Sequence, residues 1–557
     1  MKEVIVSKVN EALVVPRSPG MEGLFPEGKA LSKTQWIIKH GLPEYLLLRR
    51  LGFRVPNPIT CYYDWSGGRP FSVQRVTCSL LTASPRAYVL NDMGTGKTRA
   101  ALWAWDWLRY KGYCGKLLVA AKLSTLTRVW QRECSEVLPH RHVQVLEGTK
   151  KRRIERLNDP EAEIFVINHD GMKVVDAELK LHPEIDVLII DELATYRNSN
   201  DRSKAMVKFA ERMKFVWGMT GSPMPNEPTD VWMQCKIITP HTVPRYRTHA
   251  RDLLMTKQAE YLYVPKPDAV ERAYSWMQPA VRFTLDDVVE LPEVVERYID
   301  VPLSKEQHTV YTKMAREFVA MVGTKEITAD NAAVAMNKLL QVSGGYVYAS
   351  GKTVVLNADP RKQQLVDLIH EATGKVLVFC PFRHMVTGLS ELFNQTPVTD
   401  PEFIEHAIIH GDVSTGMRNM IFEAFQNTSQ FKVILAHPGC MAHGLTLTAA
   451  DTIIWYCPIT SLELYEQANA RIRRVGQKHR QQVIHLQGTP VERRVYALLR
   501  KKAKVQGMLL SLFAEATNQA QEGAIQEKYD GKSRENAAGD FVPRDTGGGS
   551  GTAAPSV

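Results

Sequence analysis

The sequence predicts an α/β protein: two parallel-sheet lobes with a helical insertion between them. Three observations carry that expectation. Short, near-continuous apolar runs recur along the chain, each followed by small or polar residues and then a helical pattern. In the first half they are KLLVAA (116–121), EIFVIN (163–168), DVLIID (186–191) and KFVWGMTGS (214–222). In the second half they are KVLVFC (375–380), EHAIIHG (405–411), FKVILAH (431–437), TIIWY (452–456) and QQVIHLQ (481–487). Strands covered on both faces by crossover helices read this way, because neither face meets water. The runs fall into two clusters, hence two lobes. Between them, residues 303–343 begin LSKEQHTVYTKMAREFVAMV and keep helical spacing with few turn signals.

These patterns set expected boundaries. Residues 1–68 mix short helical patterns with Pro and Gly and suggest no function. The first lobe is expected over 69–300, the helical insertion over 301–356 and the second lobe over 357–512. Residues 513–557 are polar, end in TGGGSGTAAPSV and are expected to be disordered, since little apolar surface offsets the entropy of ordering.

Composition narrows the class. The 557 residues suffice for several domains, with 44% hydrophobic and 23% charged residues. Lys plus Arg number 70 against 60 Asp plus Glu, a net +10 that leans mildly toward polyanion partners. The eight cysteines lie far apart with no C-x-x-C pair, which argues against a zinc module or a disulfide framework and fits a reducing, cytoplasmic setting. Glu3, Lys8 and Glu11 interrupt the first apolar stretch, so no signal peptide is expected there, and no uncharged stretch reaches membrane-span length.

The chemistry begins at NDMGTGKT (91–98), which follows the strand-like RAYVL and precedes TRAALWAWDWLRY, an amphipathic helix pattern. Strand, glycine loop and helix in that order make a phosphate cradle. Met93 lies in the loop, and the backbone N–H groups of Gly94, Thr95 and Gly96 would ring the phosphates at the helix N-terminus. Lys97 would reach the β- and γ-phosphates, and the Thr98 hydroxyl would ligate Mg²⁺. Asn91 stands where the usual pattern has glycine. About a hundred residues on, VLIIDELA places Asp191 and Glu192 after a buried strand. Asp191 would hold Mg²⁺ through water, and Glu192 would orient and deprotonate the attacking water. Gln74, in RPFSVQRV, offers a donor and an acceptor to an adenine edge, which would favour ATP. In YEQANARIRRVGQ (465–477), Gln467, Arg471 and Arg474 fall at i, i+4 and i+7, one face of a predicted helix. Arginines there suit charge developing in phosphoryl transfer.

Taken in order, Gln74, NDMGTGKT, KLLVAAKLSTLTRVWQRE, DELATYRNSNDRSK, GMTGSPMPN, KVLVFCPF, IIHGDVSTGMRN, HGLTLTAAD and QANARIRRVGQ resemble the SNF2-like branch of the superfamily 2 helicases and translocases. The resemblance covers roughly residues 70–512, and TGSPMPN with RxxRxGQ separates it from DEAD-box RNA helicases. It implies RecA-like lobes and a nucleic-acid-stimulated ATPase using ATP and Mg²⁺. In related enzymes the loop commonly reads D-x-M-G-x-G-K-T, so its first position is not restricted to glycine. The resemblance makes Lys97, Thr98, Asp191 and Glu192 the ATPase core, Arg471 and Arg474 arginine fingers in cis, and Gln74, Gly444 and Gln467 further nucleotide contacts. Thr220 and Ser222 correspond to the motif linking hydrolysis to lobe movement. DNA contacts are implied near Leu123, Ser124 and Thr125, near Asn168 and His169, and near His437, Pro438, His443 and Gly444.

Two departures stand out. DELA replaces DEAH or DEAQ, so Ala194 lacks the polar contact its counterpart makes across the cleft. AHPGCMAHGLTLTAAD replaces the STRAGG-type loop of chromatin remodellers and resembles the bacteriophage and bacterial form, which implies a bacterial or phage-infected cell. The expected function is a motor moving along duplex DNA, with forks or single strands as other tracks. The alternatives are a strand-separating or branch-migrating helicase, an RNA-directed motor, or a DNA-binding scaffold with weak ATPase. The basic runs KKRR (150–153) and RKKAK (500–504) are either phosphate contacts or solvated helix ends. A partner protein through the N-terminal region or tail is also expected, and no membrane.

Overall fold

The computed structural model describes residues 4–538 except 9, 18–19, 260–261, 325–328, 350 and 442–445. Seven strands form the first sheet, in the order Ala280–Val281, Arg86–Val89, Phe215–Met219, Ile185–Asp191, Lys116–Ala121, Ile164–Asn168, Val143–Leu146. Every pairing in it is parallel. Val187 to Ile190 and Leu117 to Ala121 are fully buried, as the continuous apolar runs require. The sequence reading lacked Val143–Leu146 and Ala280–Val281, which are short edge strands with weak apolar runs.

The second sheet is also all parallel, in the order Val294–Asp300, Gln481–Gln487, Ala450–Trp455, Lys375–Phe379, Val433–Ala436, His406–Ile409. Its first strand corrects the expected boundary. A boundary at 300 gives Val294–Asp300 to the first lobe, yet it pairs along all seven residues with Gln481–Gln487 of the second. Its side chains are half-buried or exposed, the mark of an edge strand, so VVERYID gives no continuous apolar signal. The helices Lys305–Thr324 and Ala329–Ser343 and the hairpin Tyr346–Ala349/Lys352–Val355 therefore sit inside the second lobe's chain path, after its edge strand.

The N-terminal region has its own antiparallel sheet, Ile5–Ser7, Ala12–Pro16, Gln35–Lys39, Lys29–Ala30, over a small core including Leu13, Val15, Trp36, Ile38 and Leu48. Pairing Leu13 with Ile38 and Val15 with Trp36 puts all four on one face, the period-2 pattern of a half-buried sheet.

The chain divides into a compact unit Met1–Ala514 and a second, Glu515–Val557. The last helix, Pro490–Ala538, corrects the expectation of disorder from 513 on as far as Ala538; helix formers such as Ala, Gln, Glu and Lys dominate that stretch. Residues 539–557 lie outside the described residues. Within the first unit this helix serves both lobes. Tyr496 and Leu499 join the second lobe's core, while Leu509, Leu510 and Phe513 join the first lobe's, with Phe513 against Tyr274 at 4.7 Å between ring centroids. Among the described residues no helix is long and apolar enough to cross a membrane.

The start of that helix is pinned by a buried ion pair. Arg361 Nη1 and Nη2 donate to the two Glu492 oxygens at 2.6 and 2.9 Å, both residues being almost fully buried. Glu492 also accepts from the Gly488 and Thr489 N–H groups and the Thr489 hydroxyl. Removing one partner strands a charge in the interior, so Glu492→Ala is expected to cost about 3–5 kcal/mol, read by denaturant unfolding of the second lobe. A loss below about 1 kcal/mol would put the pair in the class of surface contacts.

Candidate nucleotide site

Three strand ends of the first sheet stand level. Met219 is registered with Val89 on one side and with Asp191 on the other. The loop after Val89, the MTGS turn after Met219 and the acid pair at Asp191 therefore open at one edge, where α/β sheets bind ligands. Thr220 N donates to Val89 O at 3.1 Å, tying the turn to the first of these ends.

The loop owes its shape to two left-handed glycines, Gly94 at φ +89° and Gly96 at φ +77°. Gly96 caps the helix Lys97–Tyr110, whose N-terminus favours an anion. Asn91 does structural work: its Nδ2 donates to Thr77 Oγ1 at 3.2 Å and its Oδ1 accepts from Phe283 N at 3.0 Å. Its amide joins two neighbouring segments, which a glycine would leave untied. Lys97 Nζ donates to the Asn91 and Asp92 carbonyls at 2.8 and 3.0 Å. Burial lowers its pKa, against the pull of Glu192 and Asp191. Thr95 is buried and bonds the Asp92 carbonyl, and Thr98 lies in the first turn of the helix.

Gln74 lies beside the loop. Its Oε1 accepts from Phe71 N at 2.8 Å, capping its own helix Ser72–Ala83, and its Nε2 donates to Gly96 O at 3.2 Å in the loop. Each end of the amide keeps a second hydrogen-bonding position.

At the acid pair, Trp130 Nε1 donates to Asp191 Oδ2 at 2.9 Å. Glu192 sits at φ +53°, a left-handed conformation costly for a residue with a Cβ and typical of functional sites. Burial raises both carboxyl pKa values. Ala194 is buried in the turn Leu193–Tyr196 and offers no polar side chain, as its identity dictates.

The second lobe reaches this edge. Arg471 Nη2 lies 3.7 Å from Met93 Sδ in the phosphate loop. Its pKa is pushed well down by burial and by Arg474, with Glu192 opposing; burial alone brings Arg474 down to about 10. The expected helical face is corrected here: the helix is Leu462–Asn469 and ends before both arginines. The Arg471 carbonyl accepts from Leu447 N instead, while Arg471 Nε and Arg474 Nε donate back to the Gln467 and Ala470 carbonyls. Gln467 Oε1 is buried with no hydrogen-bond partner, an acceptor available to a ligand.

Ser222 is buried at the turn. Ser124 is in the exposed turn after Lys116–Ala121, and His437 is half-buried after Val433–Ala436, its pKa lowered by burial. Among the described residues neither is hydrogen-bonded to the nucleotide loop. His443 and Gly444 lie outside the described residues. In KKRR, Arg153 is bound to the Leu146 and Gly148 carbonyls and Asn168, so it serves the fold, and in RKKAK, Arg500 stacks over Tyr298.

Sequence reasoning missed the charges that join the lobes. Glu463, on Leu462–Asn469, pairs with Lys122 at 3.4 Å and Arg197 at 3.1 Å of the first lobe. Arg473 pairs with Asp286. No local pattern announces partners separated by 341 positions.

Two all-parallel lobes, with a phosphate loop and acid pair on one facing arginines from the other, define a two-lobed ATPase. The chain matches the SNF2-related domain over residues 78–349 and the helicase conserved C-terminal domain over residues 360–476. It belongs to the SNF2-like branch of the superfamily 2 helicases and translocases. It is 25% identical over 443 residues to protein p41 of Acyrthosiphon pisum secondary endosymbiont phage 1, covering 75% of this chain and 90% of that protein. It is 23% identical to an uncharacterized ATP-dependent helicase of Mycoplasma genitalium and 22% to the ISWI chromatin-remodeling complex ATPase ISW1 of Saccharomyces cerevisiae. These matches cover 71% and 75% of this chain but only 37% and 38% of the two relatives. Among solved structures, a Sulfolobus solfataricus SWI2/SNF2 ATPase core in complex with dsDNA matches with 18% identity and a TM-score of 0.36, over 82% of this chain and 96% of that one.

A Cβ on Gly96 would lie 2.1 Å from Gln74 Nε2, on a backbone already left-handed. Gly96→Ala is therefore expected to weaken ATP binding at least tenfold, measured with a fluorescent ATP analogue, since more than about 1.4 kcal/mol is at stake. Gly112→Ala, also left-handed but with open space around it, is the matched control and should leave binding unchanged.

Proposed function

We propose that this protein is an ATP-dependent DNA motor that couples ATP hydrolysis to movement along duplex DNA. The contact of Arg471 with Met93 carries the reading: residues of both lobes meet at the phosphate loop, so occupancy of the site and the position of the lobes are linked. The relatives named as ATP-dependent helicases and remodelling ATPases support hydrolysis driven by nucleic acid.

Each residue takes a role its geometry suits. The N–H groups of Gly94 to Lys97 and the Lys97 ammonium hold the phosphates. Thr98 and Asp191 are hard oxygen donors that would hold Mg²⁺, which would neutralise phosphate charge when bound. Among the described residues no three His, Cys, Asp or Glu cluster to hold a metal by themselves, as suits an ion bound largely through phosphates. Glu192, with its raised pKa, orients the attacking water and accepts its proton. Arg471 and Arg474 stabilise negative charge on the transferring phosphoryl group, and the orphaned Gln467 acceptor positions a donor beside it.

Charge on both lobes suits a polyanionic track. Arg128, in the first lobe's Leu126–Gln131 segment, and Arg418, in the second lobe's helix Thr415–Asn427, are close enough that the Arg418 charge helps lower the Arg128 pKa after burial. Neither has a carboxylate partner among the described residues, so a phosphate backbone between them would relieve the repulsion. Phosphate contacts from opposite lobes position the protein without reading sequence, as a motor needs. The likeness to phage and bacterial proteins supports the cytoplasm of a bacterial or phage-infected cell as its setting.

The test is steady-state ATP hydrolysis with no nucleic acid, duplex DNA, single-stranded DNA and RNA, with Lys97→Ala as the blank. Strong stimulation by duplex, lost in the blank, is expected. Stimulation by single strands or forks alone would favour a strand-separating enzyme, and no hydrolysis would leave a DNA-binding scaffold. Arg128→Ala and Arg418→Ala should each weaken duplex binding without altering sequence preference and lower the salt slope by about one ion.

A further inference from the structure

We propose that Glu466 is a positioning residue through which the second lobe and the C-terminal helix together grip Ser222 of the first lobe. This rests on the motor reading above and names the residues that would couple its site to lobe movement. Ser222 Oγ donates to Glu466 Oε2 at 2.7 Å. Gln506 Nε2, from Pro490–Ala538, donates to both Glu466 oxygens at 2.9 and 3.0 Å. Three separate elements thus meet at one carboxylate: the MTGS turn, the helix Leu462–Asn469 and the last helix.

The surroundings make the node a transmitter. On the first-lobe side the loop is fixed: Gln234 Nε2 donates to the Pro223 carbonyl, and Asp230 accepts from the Asn226 and Glu227 N–H groups. A pull on Ser222 therefore passes to Met219, whose strand lies between the phosphate-loop strand and the acid strand. On the second-lobe side Glu466 precedes Gln467, and the chain reaches Arg471 just past the end of the same helix, so a shift of the arginine segment moves its carboxylate. The last helix holds the same loop again, one turn before Gln506, through Lys502 Nζ on Asn226 Oδ1 at 3.0 Å. Its Leu509, Leu510 and Phe513 then anchor it in the first lobe's core. Glu466 thus sits where relative movement of the lobes must either keep or break its bonds.

The test uses the full chain and measures triplex displacement per ATP hydrolysed on duplex DNA, with the ATP KM alongside. Glu466→Ala and Gln506→Ala should each lower displacement per ATP about fivefold or more, the lower end of ordinary site-to-site coupling, while KM stays within about twofold. The double variant should be no worse than either single one, because the two residues act as a unit. The exchange pair Glu466→Gln with Gln506→Glu restores a complementary donor and acceptor and leaves an oxygen for Ser222. It should recover most of the displacement lost in Gln506→Glu alone, which sets two carboxylates against each other, and this separates coupling from misfolding. Unchanged displacement per ATP in the alanine variants, or failure of the exchange pair to recover any, overturns the inference while leaving the motor reading standing. A wild-type chain that neither hydrolyses ATP on duplex nor displaces the third strand overturns both.

Discussion

The register of one strand sets the terms for the whole molecule. Met219 stands level with Val89 and Asp191, so three loops that must share a ligand begin at a common height. Parallel pairing forces this, because strands running the same way end at the same edge. The cost is that each strand must be separated from the next by a crossover, and the buried apolar runs exist to make those crossovers bury both faces. A slip of one residue in this register would turn every side chain of the strand to the opposite face of the sheet.

The second lobe builds on that edge through charge. Arg471 lies against Met93, Glu463 holds Lys122 and Arg197, and Arg473 holds Asp286. The Arg473–Asp286 pair is exposed and contributes little to stability, whereas the Glu463 pairs are largely buried; all three straddle the cleft and report its width. They are reversible contacts, suited to lobes that part and rejoin. The helix from Pro490 adds apolar contacts to both cores, a bond that does not weaken with salt.

Much of this was legible in the sequence. All nine quoted runs contain strands of the two sheets, because strands whose residues are mostly buried leave an apolar trace. The glycine loop and DELA sit at strand ends as their sequence neighbours indicate. Three things were not legible. Val294–Asp300 is an edge strand, and its VVERYID is broken by Glu296 and Arg297, so it carries neither an unbroken apolar run nor an alternation. Arg471 and Arg474 have helical spacing, yet Leu447 takes the carbonyl that would continue the helix, a tertiary bond invisible in a local window. Glu463 and Glu466 read as ordinary acidic residues on a helix surface until the other lobe is placed against them. Asn91 is the instructive case between: sequence marks it as a variant of the glycine pattern, and only the structure shows that its amide ties the loop to Thr77 and Phe283.

The central claim is that one chain completes its phosphate site across the cleft. It is tested most directly by ATP turnover of Arg471→Ala at saturating duplex DNA, with nucleotide affinity measured in parallel. Turnover should fall by about a thousandfold or more while ATP still binds, as for an arginine acting on the transferring phosphoryl group. Turnover within a few-fold of the wild type would contradict the account.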